Sequence, residues 1–142
     1  MIVGSGIDIC EVPRIEAAFR RFGDRFRNRV FTPGEIRYAD RKANRFERYA
    51  ARFAAKEAGM KAIGTGWRRG VRWQDFEVVN LSSGKPTLVF HGKALEFAGR
   101  LGVMNIVLSM THTRVQAMAF LILPGEMTLR RWSTQKLLWG KL

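Results

Sequence analysis

One cysteine, two histidines and no long apolar run close off many common functional designs for this 142-residue chain. The single thiol, Cys10, can form neither an internal disulfide nor a cysteine-based zinc site. As a nucleophile it would need a neighbouring base that the sequence does not identify, so a buried, inert thiol is expected. His91 and His112 lie too far apart in sequence for zinc-ligand spacing. Glycine-rich phosphate loops of the P-loop or dinucleotide-binding kind are missing. No apolar stretch approaches the roughly 20 residues of a membrane span. The opening MIVGSGIDIC carries neither the basic lead nor the small-residue cleavage site of a secretory signal, so a cytoplasmic protein is expected. Acid is scarce as well: 12 Asp and Glu against 25 Lys and Arg leave a formal charge of +13.

The excess charge is concentrated. Between Pro13 and Lys61 there are 14 basic and 6 acidic side chains, which points to an anionic partner: nucleic acid, an acidic protein or a phosphorylated small molecule. At 46% apolar and 26% charged, the chain is globular and long enough for one core. Residues 1–124 read as one domain, and 125–142 as a basic extension of unknown role. Leu129, Trp132 and Leu137–Trp139 would give that extension an apolar side if it were helical.

Within the domain, Ile2 to Ile9 reads as a strand with Ile7 and Ile9 on one face and Gly4, Gly6 and Asp8 on the other. Two glycines there permit close approach by a ligand or another backbone. Pro13 starts a helix whose apolar side is Ile15, Ala18, Phe19 and Phe22. Thr32-Pro33-Gly34-Glu35 is a capping box that starts a short helix. A long helix runs from about Arg45 to Ile63 and ends in Gly64-Thr65-Gly66. Phe76 to Asn80 and Thr87 to His91 are β-like, joined by a turn-rich segment. Lys93 to Leu101 is helical, stopping at Gly102. Val103 to Ser109 and Val115 to Leu123 are strands joined through residues 110–114. The order of elements predicts an α+β domain.

Chemistry concentrates in RFAAKEAGMKAIGTG, Arg52 to Gly66. Phe46, Ala50, Phe53, Met60 and Ile63 recur at helical spacing, and Glu57 falls on that apolar stripe. A carboxylate among core positions is costly unless a cation, metal or hydrogen bonds meet it. Lys61, one turn on, could simply pair with it. Alternatively, Asp8 and Glu57, both on otherwise apolar elements, suit Mg²⁺ chemistry on a phosphorylated substrate, since Mg²⁺ takes one or two carboxylates and fills its shell with water and phosphate oxygens.

Five motifs then stand in order: GIDICEVPRI (Gly6 to Ile15), FTPGE (Phe31 to Glu35), RFAAKEAGMKAIGTG, SGKP (Ser83 to Pro86) and SMTHT (Ser109 to Thr113). Together, over about residues 1–124, they resemble the holo-acyl-carrier-protein synthases, small stand-alone 4'-phosphopantetheinyl transferases. The resemblance implies an antiparallel sheet packed with a long central helix. It implies Mg²⁺-dependent transfer of phosphopantetheine from coenzyme A to a serine of an apo acyl carrier protein, releasing adenosine 3',5'-bisphosphate, as in fatty acid biosynthesis. Asp8 and Glu57 match the metal ligands, and Lys61 the lysine on the diphosphate. Gly64, Thr65 and Gly66, with Lys85 and Pro86, match parts of the coenzyme A pocket. His112 and Thr113 match positions near the 3'-phosphate, with Arg52 a further candidate there. The family docks its acidic carrier on the basic first helix, which selects the stripe Arg14, Arg21 and Arg25. It also forms homotrimers with active sites between subunits.

The alternative is a nucleic-acid-binding module, which a pI near 11.2 would suit. No RNP1, KH or zinc-finger pattern supports it, and the bases gather beside the proposed phosphate site. A purely structural protein with a Glu57–Lys61 pair is the remaining reading.

Overall fold

The computed structural model describes residues 1–126. Strand β1 (Ile2–Glu11) leads straight into helix α1 (Val12–Phe22), with Pro13 in its first turn, where a missing amide hydrogen costs nothing. Gly23, at φ 57°, ends α1 and redirects the chain into α2 (Asp24–Val30). The break corrects one expectation: Arg25 lies on a second helix, so it does not continue a single stripe with Arg14 and Arg21. Phe22 also departs from the expected apolar side. It is exposed, with the Arg21 guanidinium 5.1 Å from its ring centre.

Helix α3 (Pro33–Asp40) begins at the predicted capping box, where the Thr32 hydroxyl accepts from the Glu35 amide and the Glu35 carboxylate accepts from the Thr32 amide. Helix α4 (Arg45–Ile63) matches the predicted span and ends on left-handed Gly64. A 3-10 turn (Trp73–Asp75) precedes the hairpin β2 (Phe76–Asn80) and β3 (Pro86–Phe90), followed by α5 (Gly92–Leu101). Strand β4 (Val107–His112) pairs with β5 (Gln116–Pro124), which also pairs with β1, giving an antiparallel sheet in the order β1-β5-β4.

Two boundaries differ from expectation. Val103 forms only an isolated bridge to Gly125, because Asn105 folds its side chain onto the Ile106 amide and β4 starts later. Met110 to His112, expected in the connection, extend β4, and the hairpin turn is pinned by the Thr113 amide donating to the Gln116 carbonyl. Residues 125 and 126 still bond to the body: the Gly125 amide donates to the Met1 carbonyl and the Glu126 amide to that of Gly102. The rest of the basic extension, with Leu129, Trp132 and Leu137–Trp139, lies outside the described residues.

Helix α4 lies on one face of the sheet, over β1 and β5, with α1, α3 and β2 against its other sides. It is therefore buried almost all round from Tyr49 to Ala55 rather than along one stripe. Ala54, Ala58 and Ala62 form a low ridge toward β1. A side chain at Gly6 would collide with the Ala58 carbonyl, and one at Gly4 with that of Ala62. The close neighbour that the two glycines admit is thus the helix backbone.

Inside this layer a buried ion pair locks α4 to α3. The Lys56 ammonium sits 2.7 Å from Glu35 Oε1, both side chains fully buried, and also donates to the Trp73 and Phe76 carbonyls. Glu35 Oε2 in turn accepts from the Val78 amide at 2.9 Å. The opposite sheet face carries Ile7, Ile9, Val107, Met118 and Phe120, all exposed. Cross-strand register sets Ile7 beside Phe120 and Ile9 beside Met118, so these side chains form one continuous apolar surface.

Candidate active site

Asp8 points from β1 to the helix side of the sheet, in register with Ala119 and Met110. Because β1 rides directly on α4, Asp8 meets the last two turns of the helix. Lys61 Nζ donates to Asp8 Oδ1 at 2.9 Å and to the Ile7 carbonyl at 2.9 Å. The intrahelical Glu57–Lys61 pair that spacing allowed does not form; the lysine reaches across to the strand.

Glu57 is half-buried beside Asp8, and its pKa is pushed up to about 7. Burial is the main cause, followed by hydrogen bonding to Asp8 and by the Asp8 charge, with Arg14 and Lys61 opposing. Two carboxylates pressed together on a dry face repel when both are ionised. One sign of this is Asp8 Oδ2, which is buried without a hydrogen-bond partner among the described residues. A shared proton or a cation would satisfy it.

The donor set fits a hard divalent cation. Among the described residues no group of three or more His, Cys, Asp or Glu side chains could enclose a metal. Two carboxylates with solvent and substrate completing the shell is the arrangement Mg²⁺ accepts and closed zinc sites do not. Cys10, two residues along β1, is buried as expected, and that burial drives its thiol up to about 12.

The Gly64-Thr65-Gly66 turn follows directly. Both glycines have positive φ, 78° and 54°, and the Thr65 and Gly66 amides bond back to the Met60 carbonyl. The buried Thr65 hydroxyl donates to the Gly66 carbonyl, so this turn is rigid.

A second group forms on the other flank of α4. Arg52, Pro86 and His112 line one cavity with Tyr38, Arg48, Ala51, Asn80, Gly84 and Met110. At about 100° per residue, Arg52 is turned about 140° from Glu57 and about 180° from Lys61 around the helix. Asp8 is on one edge strand and His112 on the other, so α4 stands between the two groups. Lys85, in the turn before β3, is exposed. Thr113 is not among the cavity's lining residues; its hydroxyl accepts from the Val115 and Gln116 amides and braces the hairpin.

Arg14, Arg21 and Arg25 are all exposed on α1 and α2. Sequence reasoning passed over Lys56, Tyr38, Arg48 and Asn80. Lys56 had one usable signal, a cation beside Glu57 in an otherwise apolar, alanine-rich run. Tyr38 and Asn80 had none, because each meets Arg52 from another element of the fold.

The 4'-phosphopantetheinyl transferase superfamily is matched over residues 4–118. The chain belongs to this superfamily. It is 67% identical over 123 residues to a holo-[acyl-carrier-protein] synthase of Solibacter usitatus, covering 87% of this chain and 98% of the relative. It is 60% identical, with the same coverage, to that of Koribacter versatilis. The transferase fold agrees as well. The crystal structure of the Neisseria meningitidis synthase superposes with a TM-score of 0.78 at 34% identity, covering 87% of this chain and 99% of that one. A Bacillus anthracis synthase in complex with CoA (3',5'-ADP) gives 0.72 at 37% identity, covering 89% and 99%. Both the α+β class and the antiparallel sheet on a long central helix are as expected from sequence.

Proposed function

We propose that this protein transfers the 4'-phosphopantetheine group of coenzyme A to a serine hydroxyl of an apo acyl carrier protein. The observation that carries the reading is the Asp8–Glu57–Lys61 constellation: two carboxylates forced together, one oxygen unsatisfied, and an ammonium 2.9 Å away. In the reaction the serine oxygen bonds to the phosphorus that bears pantetheine, and the phosphoanhydride bond breaks. The hydroxyl proton passes to a base, and adenosine 3',5'-bisphosphate leaves with the bond electrons. Asp8 and Glu57 would hold Mg²⁺, which when bound neutralises the diphosphate and the charge it gains. Lys61, whose ammonium lies beside Asp8, would donate to the departing phosphate. Nothing in the chain need act as nucleophile, consistent with an inert Cys10.

The basic α1–α2 surface suits an acidic carrier, and its Arg14 acts electrostatically on Glu57. The exposed Ile7–Ile9–Met118–Phe120 face supports a homotrimer, since an apolar sheet face of this kind calls for a covering partner. Coenzyme A groups split across the two flanks of α4 agree with active sites completed between subunits. We assign the reaction to the cytoplasm, and we favour it over nucleic-acid binding because Arg14 and Lys61 act on the first group and Arg48 and Arg52 line the second.

The test is intact mass of several apo carriers, from fatty-acid and polyketide pathways, incubated with coenzyme A, Mg²⁺ and the protein. A gain of one phosphopantetheine that disappears with chelator is expected. No gain on any carrier refutes the assignment. Light scattering should give three times the chain mass, and Phe120→Glu should yield smaller species.

A further inference from the structure

The cavity on the second flank encloses about 230 Å³. That is below the roughly 300–1,000 Å³ of sites that surround a whole small ligand, so it suits one group of a larger molecule. Three nitrogen-rich side chains line it: Arg48, Arg52 and His112. Arg52 is only 3% exposed, yet its Nε has no hydrogen-bond partner among the described residues. A buried guanidinium with a spare donor beside a cavity is an anion receptor waiting for its ligand.

What fixes that guanidinium is more informative. Its Cζ lies 3.9 Å from the centre of the Tyr38 ring. Its Nη2 donates to Asn80 Oδ1 at 3.0 Å, while Asn80 Nδ2 donates to the Gly84 carbonyl at 3.0 Å. Asn80 therefore uses both ends of its amide, one on the arginine and one on the 81–85 turn that leads into Pro86. The ring holds the guanidinium by a cation–π contact, and the amide holds Nη2 by a hydrogen bond.

We propose that Tyr38 and Asn80 are positioning residues that aim Arg52 at the 3'-phosphate of coenzyme A, with Asn80 tying that grip to the 81–85 turn. The proposal rests on the coenzyme A reading above. Its chemical consequence is selectivity: the enzyme distinguishes a phosphate monoester at the ribose from a free hydroxyl, through residues that never touch the reacting phosphorus. A site built for a charge loses far more on the neutral analogue than a site of apolar contacts would.

Steady-state kinetics with coenzyme A and with 3'-dephospho-coenzyme A, on the same carrier, test it. Asn80→Ala and Tyr38→Leu should each raise KM for coenzyme A by roughly tenfold, the usual effect of losing an interaction with a charged group. Turnover number should stay within about twofold, and KM for the dephospho form should not move, because Arg52 has nothing to grip there. Tyr38→Phe, which keeps the ring but loses the hydroxyl that also acts on Arg52, should give a KM between those of Tyr38→Leu and the wild type. Calorimetric binding of adenosine 3',5'-bisphosphate should weaken in parallel without any turnover. Equal rises in KM for both nucleotides, or no rise for either, overturn the positioning role. A wild-type protein that takes neither nucleotide overturns the coenzyme A reading, and this proposal with it.

Discussion

Replacing Lys56 by methionine is the sharpest test of how the site is held in place. The ammonium it removes is fully buried, 2.7 Å from an equally buried Glu35. The Glu35 carboxylate would keep the Thr32 and Val78 amides but lose its only countercharge at hydrogen-bond distance among the described residues. The Trp73 and Phe76 carbonyls would lose a donor too. Breaking a buried pair in this way costs about 3–5 kcal/mol. Against the roughly 5–15 kcal/mol that holds a domain together, this is severe. For a body of this size it corresponds to a fall in Tm of roughly 10–20 °C. Lys56→Met combined with Glu35→Gln should cost much less than the two single changes added together, because no unpaired charge remains. Urea unfolding followed by circular dichroism, at one fixed protein concentration, measures all four corners of this cycle. A loss below about 1 kcal/mol for Lys56→Met, or additive single changes, would falsify the claim that this pair clamps α4 to α3.

The other expectations are briefer. Glu57→Gln removes one of two repelling carboxylates, so it should abolish carrier modification by at least about a hundredfold while leaving the metal-free Tm equal or higher; a lowered Tm would mean that Glu57 serves the fold. Tyr49 is fully buried, and burial, then its hydrogen bond to Asp40, raises its pKa above the usual 10. The unfolded chain therefore loses that proton first, and stability should fall as pH rises past about 10; Tyr49→Phe should flatten this alkaline slope, and an unchanged slope would refute the assignment. Arg14→Glu and Arg21→Glu should raise KM for the carrier severalfold and leave KM for coenzyme A alone, with the difference shrinking in high salt. Equal effects on both substrates would remove α1 as the docking surface.

What sequence disclosed depended on range. The limits of α4 and the Thr32 capping box were legible because alanine content, Gly64 and the Thr32–Glu35 spacing all act within one turn of helix. Asp8 and Glu57 were selected through motif resemblance and the cost of a carboxylate among apolar neighbours. Partner choice was not legible. Lys61 bonds to a strand 53 residues away, and Lys56 finds Glu35 on another helix. Neither follows from helical periodicity, which sees only neighbours three or four residues off. The break at Gly23 was missed because the arginine spacing runs through it undisturbed. Ile7 and Ile9 alternate as a half-buried strand should, and nothing in the alternation says that their face is the outer one of this chain.

The contact between Gly4, Gly6 and the carbonyls of α4 makes the separation of Asp8 from Glu57 a backbone dimension. A single methyl group on that strand face would wedge strand and helix apart and spread the two carboxylates. No side-chain exchange in β1 can therefore adjust that separation gradually. In the proposed function the carrier docks on α1 and α2, whose exposed arginines can diverge without altering that gauge. Carrier docking is free to evolve in this architecture while the spacing of the two carboxylates stays at one setting.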